Sequence, residues 1–226
     1  MNLIRSIAII SIIIMSEKAI SQDTYTYLAL GDSYTIGEAV DKSERWPVQL
    51  SNRLVKDGIN ISKPKIIATT GWTTDELIEA IDKESIKDDF SLVSLLIGVN
   101  NQYRGYPIKQ YKKEFEDLLT LAIGFASNKP ENVFVLSIPD YGVTPFSESK
   151  KLDANKIAKE LDDYNAIAKK ICKDNGVPFV DITPGSKKAR NDRSLIASDG
   201  LHPSGIMYSQ WVEAAYNLVY DNLSTR

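Results

Sequence analysis

Apolar residues gather in short runs along this chain, and most runs are followed by a stretch in which they recur every three or four positions. The runs at Tyr25–Leu30, Lys65–Ala68, Phe90–Ile97, Asn132–Ile138 and Val177–Ile182 have the length of strands. Phe90–Ile97 is apolar nearly throughout, which predicts a central strand covered on both faces rather than a half-exposed one. Helical spacing follows at Trp46–Val55, where Gly58 stops the run. It returns after Thr73 or Thr74, either of which can cap a helix with Glu76 in its first turn and Leu77, Ile78 and Ile81 on one face. Further helices are expected from about Pro107 to Ile123, from Asp153 to Asn175 with Ile157, Leu161, Tyr164 and Ile171 on one stripe, and from about Ser204 to Leu223. Pro139–Pro145 reads as a loop from its turn residues.

Strands alternating with helices predict an α/β fold, a five-stranded parallel sheet between two helical layers. Ligands of such sheets bind beyond the strand ends. Ser33, Gly71 and Asn100 follow strands one, two and three, and the segment after strand five leads to Asp199 and His202. All five residues are therefore expected at one edge.

Composition narrows the class. A chain of 226 residues, 43% hydrophobic and 25% charged, supports one well-cored domain and leaves no room for a second. Its net charge is -3, with lysines interleaved among carboxylates, which excludes a nucleic-acid surface. The amino terminus differs from the rest. Met1–Arg5 is short and positive, Ile7–Met15 is apolar apart from Ser11, and Ala19-Ile20-Ser21 offers small residues for a signal peptidase. Residues 1–21 are thus expected to be a cleaved secretory signal and residues 22–226 the exported domain, secreted or periplasmic. An apolar core of about ten residues is too short for a stable membrane anchor, which needs roughly twenty. Cys172 is the one cysteine, so neither an intrachain disulfide nor a lipid-modified amino terminus is available, and its helical setting suggests a small core residue.

The chemistry is concentrated in two places. Gly31-Asp32-Ser33 puts a serine at the end of strand one, and Asp199-Gly200-Leu201-His202 carries the only histidine. A serine hydroxyl needs a base within reach to take its proton, and His202 is the sole histidine available. Asp199, three residues earlier, can hold the Nδ1 proton and stabilise the imidazolium. Asp32 points away from its neighbour and is expected to brace the loop, while Asp181 at the end of strand five is a competing acid. Activity should fall as acid protonates the histidine, because an imidazolium accepts no proton. Tyr34, Trp72, Tyr103, Tyr141 and Phe146 sit on loops at the same edge and can line an acyl or aryl pocket. No H-E-x-x-H, cysteine pair, Walker loop or G-x-S-x-G elbow occurs, so no metal and no cofactor is expected.

Four short blocks, in order, carry a resemblance. Gly31-Asp32-Ser33-Tyr34, Thr70-Gly71-Trp72, Gly98-Val99-Asn100-Asn101 and Asp199-Gly200-Leu201-His202 resemble the blocks of the GDSL or SGNH-type serine hydrolases, a family of esterases and lipases. The resemblance implies the flavodoxin-like strand order 2-1-3-4-5 and hydrolysis of carboxylic esters through an acyl-enzyme on Ser33. It also implies an oxyanion hole made by the backbone N–H groups of Ser33 and Gly71 and the side-chain amide of Asn100. Read from the residues alone, Gly71 is equally a turn residue and Asn100 equally a helix cap. Asn101 stands where the family often has aspartate. Family members act on lysophospholipids, thioesters, aryl esters and acetylated sugars, so the expected partner is a small-molecule, carbohydrate or lipid ester. The motifs set neither the acyl length nor an oligomeric state. Two rival readings are a flavodoxin-like module holding phosphate or flavin at the Ser33 loop and a catalytically silent carbohydrate-binding relative. The first gives Asp199 and His202 no task, and the intact serine, asparagine and histidine speak against the second.

Overall fold

A computed structural model of the chain describes residues 24–87 and 89–225; the expected signal segment and its cleavage point lie outside the described residues. The sheet consists of β1 (Tyr27–Gly31), β2 (Lys65–Ala68), β3 (Leu92–Leu96), β4 (Val133–Leu136) and β5 (Phe179–Val180). Its order is β2-β1-β3-β4-β5, with every pair parallel. β1 and β3 are buried along their whole length, as an apolar run flanked by helices on both faces requires. The one hydroxyl inside β3, on Ser94, is satisfied by the Tyr27 hydroxyl of β1 at 2.9 Å.

The helices are α1 (Ser33–Ile36), α2 (Trp46–Lys56), α3 (Thr74–Glu84), α4 (Val99–Tyr103), α5 (Ile108–Phe125), α6 (Pro145–Ser149), α7 (Ala154–Asp174), α8 (Thr183–Ser186) and α9 (Gly205–Ser224). α2 packs on α9 in one layer, and α3, α5 and α7 pack in succession in the other. Thr73 caps as expected, while Asp153 and Ser204, expected to begin their helices, stand just before them as caps. Thr73 and Glu76 form a reciprocal capping box on α3, Asp153 accepts the N–H groups of Asn155 and Lys156, and Ser204 accepts that of Met207.

The differences from expectation lie at boundaries and at short elements. β5 has two paired residues, not the six of Val177–Ile182, because β4 alone lies beside it and their register pairs only Val135 with Phe179 and Leu136 with Val180. Tyr25 belongs to an isolated bridge with Ile61 rather than to β1. Pro139–Pro145 holds a turn of 3-10 helix at Tyr141–Val143, capped by Asp140, and runs into α6. Cys172 is fully buried in α7, and burial pushes its thiol up to about 12.

Candidate active site

Ser33 is positioned by its neighbours on either side. A Cβ on Gly31 would lie 2.3 Å from Thr35 Oγ1 and 2.5 Å from the Leu96 carbonyl, so only glycine lets β1 turn into α1 this closely. Asp32 caps α1, its Oδ1 accepting the Tyr34 N–H at 3.0 Å. Ser33 thereby becomes the first residue of the helix, with an N–H that has no intrahelical acceptor. Asp32 is fully buried and its Oδ2 has no partner among the described residues. Burial pushes its carboxyl up to about 7 against the opposing pull of the Tyr34 N–H. It braces the loop, as its adjacency to Ser33 predicts.

His202 and Asp199 share a tight turn. His202 Nδ1 lies 2.5 Å from Asp199 Oδ2, while Asp199 Oδ1 accepts the N–H groups of Leu201 at 2.9 Å and His202 at 3.0 Å. Partial burial works to raise the Asp199 carboxyl, but the bonds from the His202 ring and these two N–H groups outweigh it and hold the group below the usual aspartate range. An ionised carboxylate has no proton to give, so Nδ1 donates and Nε2 is left for other work. The turn is anchored on both sides: Ala197 N–H donates to the His202 carbonyl at 2.8 Å and Phe146 N–H to the Gly200 carbonyl at 2.9 Å. The Tyr34 ring meets the imidazole edge-on, with centroids 5.9 Å apart.

A third group lies after β2 and β3. Gly71 has φ +90°, a left-handed turn conformation, and lies on the cavity wall. Asn100 is the second residue of α4, whose cap is Gly98, so Asn100 caps no helix. Instead its Nδ2 donates to the Trp72 carbonyl at 2.9 Å. An amide carries two N–H groups; spending one on a fixed carbonyl fixes the direction of the other. Arg104, four residues on, donates from Nη2 to the Gly71 carbonyl at 2.6 Å and pairs with Glu76 at 3.2 Å, tying the Gly71 turn to α3 and α4. Asn101 is fully buried and accepts the Thr74 N–H at 3.0 Å while donating to the Thr74 hydroxyl at 2.7 Å. That hydroxyl in turn donates a hydrogen bond to Glu114 Oε2, and an ionised aspartate at 101, lacking a donor, could not supply the first bond of this chain.

These groups converge on one cavity of about 160 Å³. Ser33, Gly71, Asn100 and His202 border it, and Ser33 and His202 are 5% and 8% exposed. No hydrogen bond joins the Ser33 hydroxyl to His202 among the described residues; such contacts commonly tighten when substrate arrives. Tyr34, Tyr103, Tyr141 and Phe146 complete the wall with Thr70, Val99 and Leu201. Burial pushes the Tyr141 hydroxyl up to about 12, against a bond to Gln102, so it stays neutral. Trp72, expected on this wall, is not part of it: its ring packs on the hydrophobic core and only its carbonyl serves the site, through Asn100. Asp181 faces elsewhere, accepting the Ser137 hydroxyl at 3.1 Å and the Thr183 N–H at 3.1 Å. Arg104 escaped the sequence reading because it follows the last residue of α4 as its C-cap, in a stretch where the spacing predicted no helix before about Pro107. Val99 and Leu201 are apolar neighbours of motif residues, and nothing in their spacing marks them as wall.

Comparison with solved structures gives the same architecture. The chain superposes on the crystal structure of TesA with a TM-score of 0.69 at 17% identity, covering 88% of this chain and 99% of that one. The lipase/acylhydrolase from Enterococcus faecalis gives 0.69 at 16%, over 88% and 97%. Axe2, an acetylxylan esterase from Geobacillus stearothermophilus, gives 0.63 at 16%, over 86% and 94%. No curated protein sequence matches the chain. The sequence pattern of the GDSL-like lipase/acylhydrolase family matches residues 29–209.

Proposed function

The chain belongs to the GDSL-like lipase/acylhydrolase family, hydrolases of ester substrates, and on that premise we propose that it cleaves carboxylic esters through an acyl-enzyme on Ser33. In this reading the Ser33 hydroxyl attacks the ester carbonyl while its proton passes to His202 Nε2. Asp199 holds the Nδ1 proton and stabilises the imidazolium. The carbonyl oxygen, now negative, is received by the N–H groups of Ser33 and Gly71 and by the Asn100 N–H that Trp72 leaves free. Collapse breaks the bond to the alcohol, which takes the proton from His202. Water then gives a proton to the same nitrogen as it attacks the acyl carbon, and the departing serine oxygen recovers that proton as the acid is released.

The observation that carries the reading is that the one histidine, bound to Asp199 through Nδ1 at 2.5 Å, borders the same cavity as Ser33. Hydrolysis of p-nitrophenyl acetate by the wild-type chain and its loss in Ser33→Ala and His202→Asn test it. Equal turnover by all three proteins would contradict it. We further propose export with removal of residues 1–21; amino-terminal sequencing of the protein recovered outside the cytoplasm should begin near Gln22.

A further inference from the structure

The catalytic cavity has a neighbour. A groove of about 490 Å³ lies against it, and Tyr103 and Tyr141 border both spaces. The two rings are held very differently. Tyr141 is buried, and its hydroxyl donates to Gln102 Oε1 at 2.9 Å. Tyr103 is 54% exposed, and its hydroxyl has no hydrogen-bond partner among the described residues. Among the aromatic rings of the described residues it meets Tyr141, centroids 6.0 Å apart and edge-on, and Phe146 at 6.4 Å. The groove beyond has a mixed wall, with apolar surface from Leu152 and the nearly buried Ile157 and polar groups from Gln102, Arg104, Lys151, Asp153, Lys156 and Glu160.

We propose that Tyr103 is the specificity-determining partition of this site. With its ring in place, the acyl group is confined to the smaller cavity, and the substrate class is esters of short acyl groups. At about 160 Å³ the catalytic cavity is much smaller than the groove of about 490 Å³ beyond Tyr103, so it suits the shorter acyl groups. Val99, Phe146 and Leu201 give this wall apolar surface that suits hydrocarbon. A longer chain must displace the Tyr103 ring to reach Leu152 and Ile157. This inference rests on the ester-hydrolase reading above.

The test is a series of p-nitrophenyl esters from acetate to decanoate, with kcat/KM measured for wild type, Tyr103→Ala, Tyr103→Trp and Tyr103→Phe. Wild type should lose roughly tenfold or more between hexanoate and decanoate, a step on the scale of rejecting one or two methylenes. Tyr103→Ala should raise decanoate relative to its own acetate rate by about the same factor. Tyr103→Trp should move the decline to shorter chains, and Tyr103→Phe should leave the profile in place, since the hydroxyl has no partner to lose. An Ala or Trp variant that hydrolyses acetate with the wild-type chain-length profile overturns the partition and leaves the esterase reading standing. A wild-type chain inactive on every ester removes both.

Discussion

Asp32 offers a quantitative prediction because it is fully buried beside the nucleophile with one oxygen unpartnered. Its carboxyl titrates at about 7 in the folded chain, against 3.8 for an ordinary aspartate, and the cause is burial. The folded state therefore keeps a proton that the unfolded state has already released. Below pH 3.8 both states are protonated and Asp32 costs nothing. Between there and pH 7 stability falls as pH rises, and above pH 7 the full cost, roughly 4 kcal/mol, is in force. Asp32→Asn removes the titration while keeping Oδ1, the atom that accepts the Tyr34 N–H and caps α1. Urea unfolding of both proteins at pH 5 and pH 8 is the assay. The difference in unfolding free energy, variant minus wild type, should grow by roughly 3 kcal/mol in favour of the variant over that interval. Any constant cost of the new amide cancels in this comparison, as do the titrations of all other groups. A difference that stays the same at the two pH values would refute the reasoning.

Other perturbations probe the site and its supports. Asp199→Asn should lower kcat by roughly 100- to 10,000-fold with the fold intact by circular dichroism, because the imidazole loses the carboxylate that fixes its tautomer. Arg104→Ala should lower kcat roughly tenfold with little change in KM, since it frees the Gly71 carbonyl and with it the turn that presents the Gly71 N–H; a pure rise in KM would show that Arg104 acts on substrate binding instead. Gly98→Ala should destabilise by about 2–4 kcal/mol in urea unfolding, because its φ is +125° and a Cβ there would lie 2.6 Å from the Tyr111 ring. An unchanged midpoint would mean that β3 and α5 shift to absorb the methyl group.

Much of this was legible in the chain. The nearly all-apolar β3 announced a strand covered on both faces, and Thr73 announced the helix it caps, because both signals are local and belong to residues whose physics leaves few choices. The pairing of Asp199 with His202 was legible for a different reason: a three-residue spacing can close within one turn, and it does so here at 2.5 Å. What was hidden depends on long-range packing. Trp72 was expected on the cavity wall from its position after β2, yet the direction of its ring is set by the core beneath it. β5 shrinks to two residues because its length is fixed by how much of β4 lies beside it. The use of Asn101 as a link between Thr74 and Gly98's helix α4 requires knowing that α3 and α4 start side by side.

The central claim is that the Ser33 hydroxyl is the nucleophile, activated by His202. Incubation with a fluorophosphonate, followed by peptide mass spectrometry, tests it most directly. The account predicts one equivalent of adduct on the peptide carrying Gly31-Asp32-Ser33, formed in wild type and lost in His202→Asn. An adduct on another residue, or labelling of Ser33 that is indifferent to His202, would contradict it.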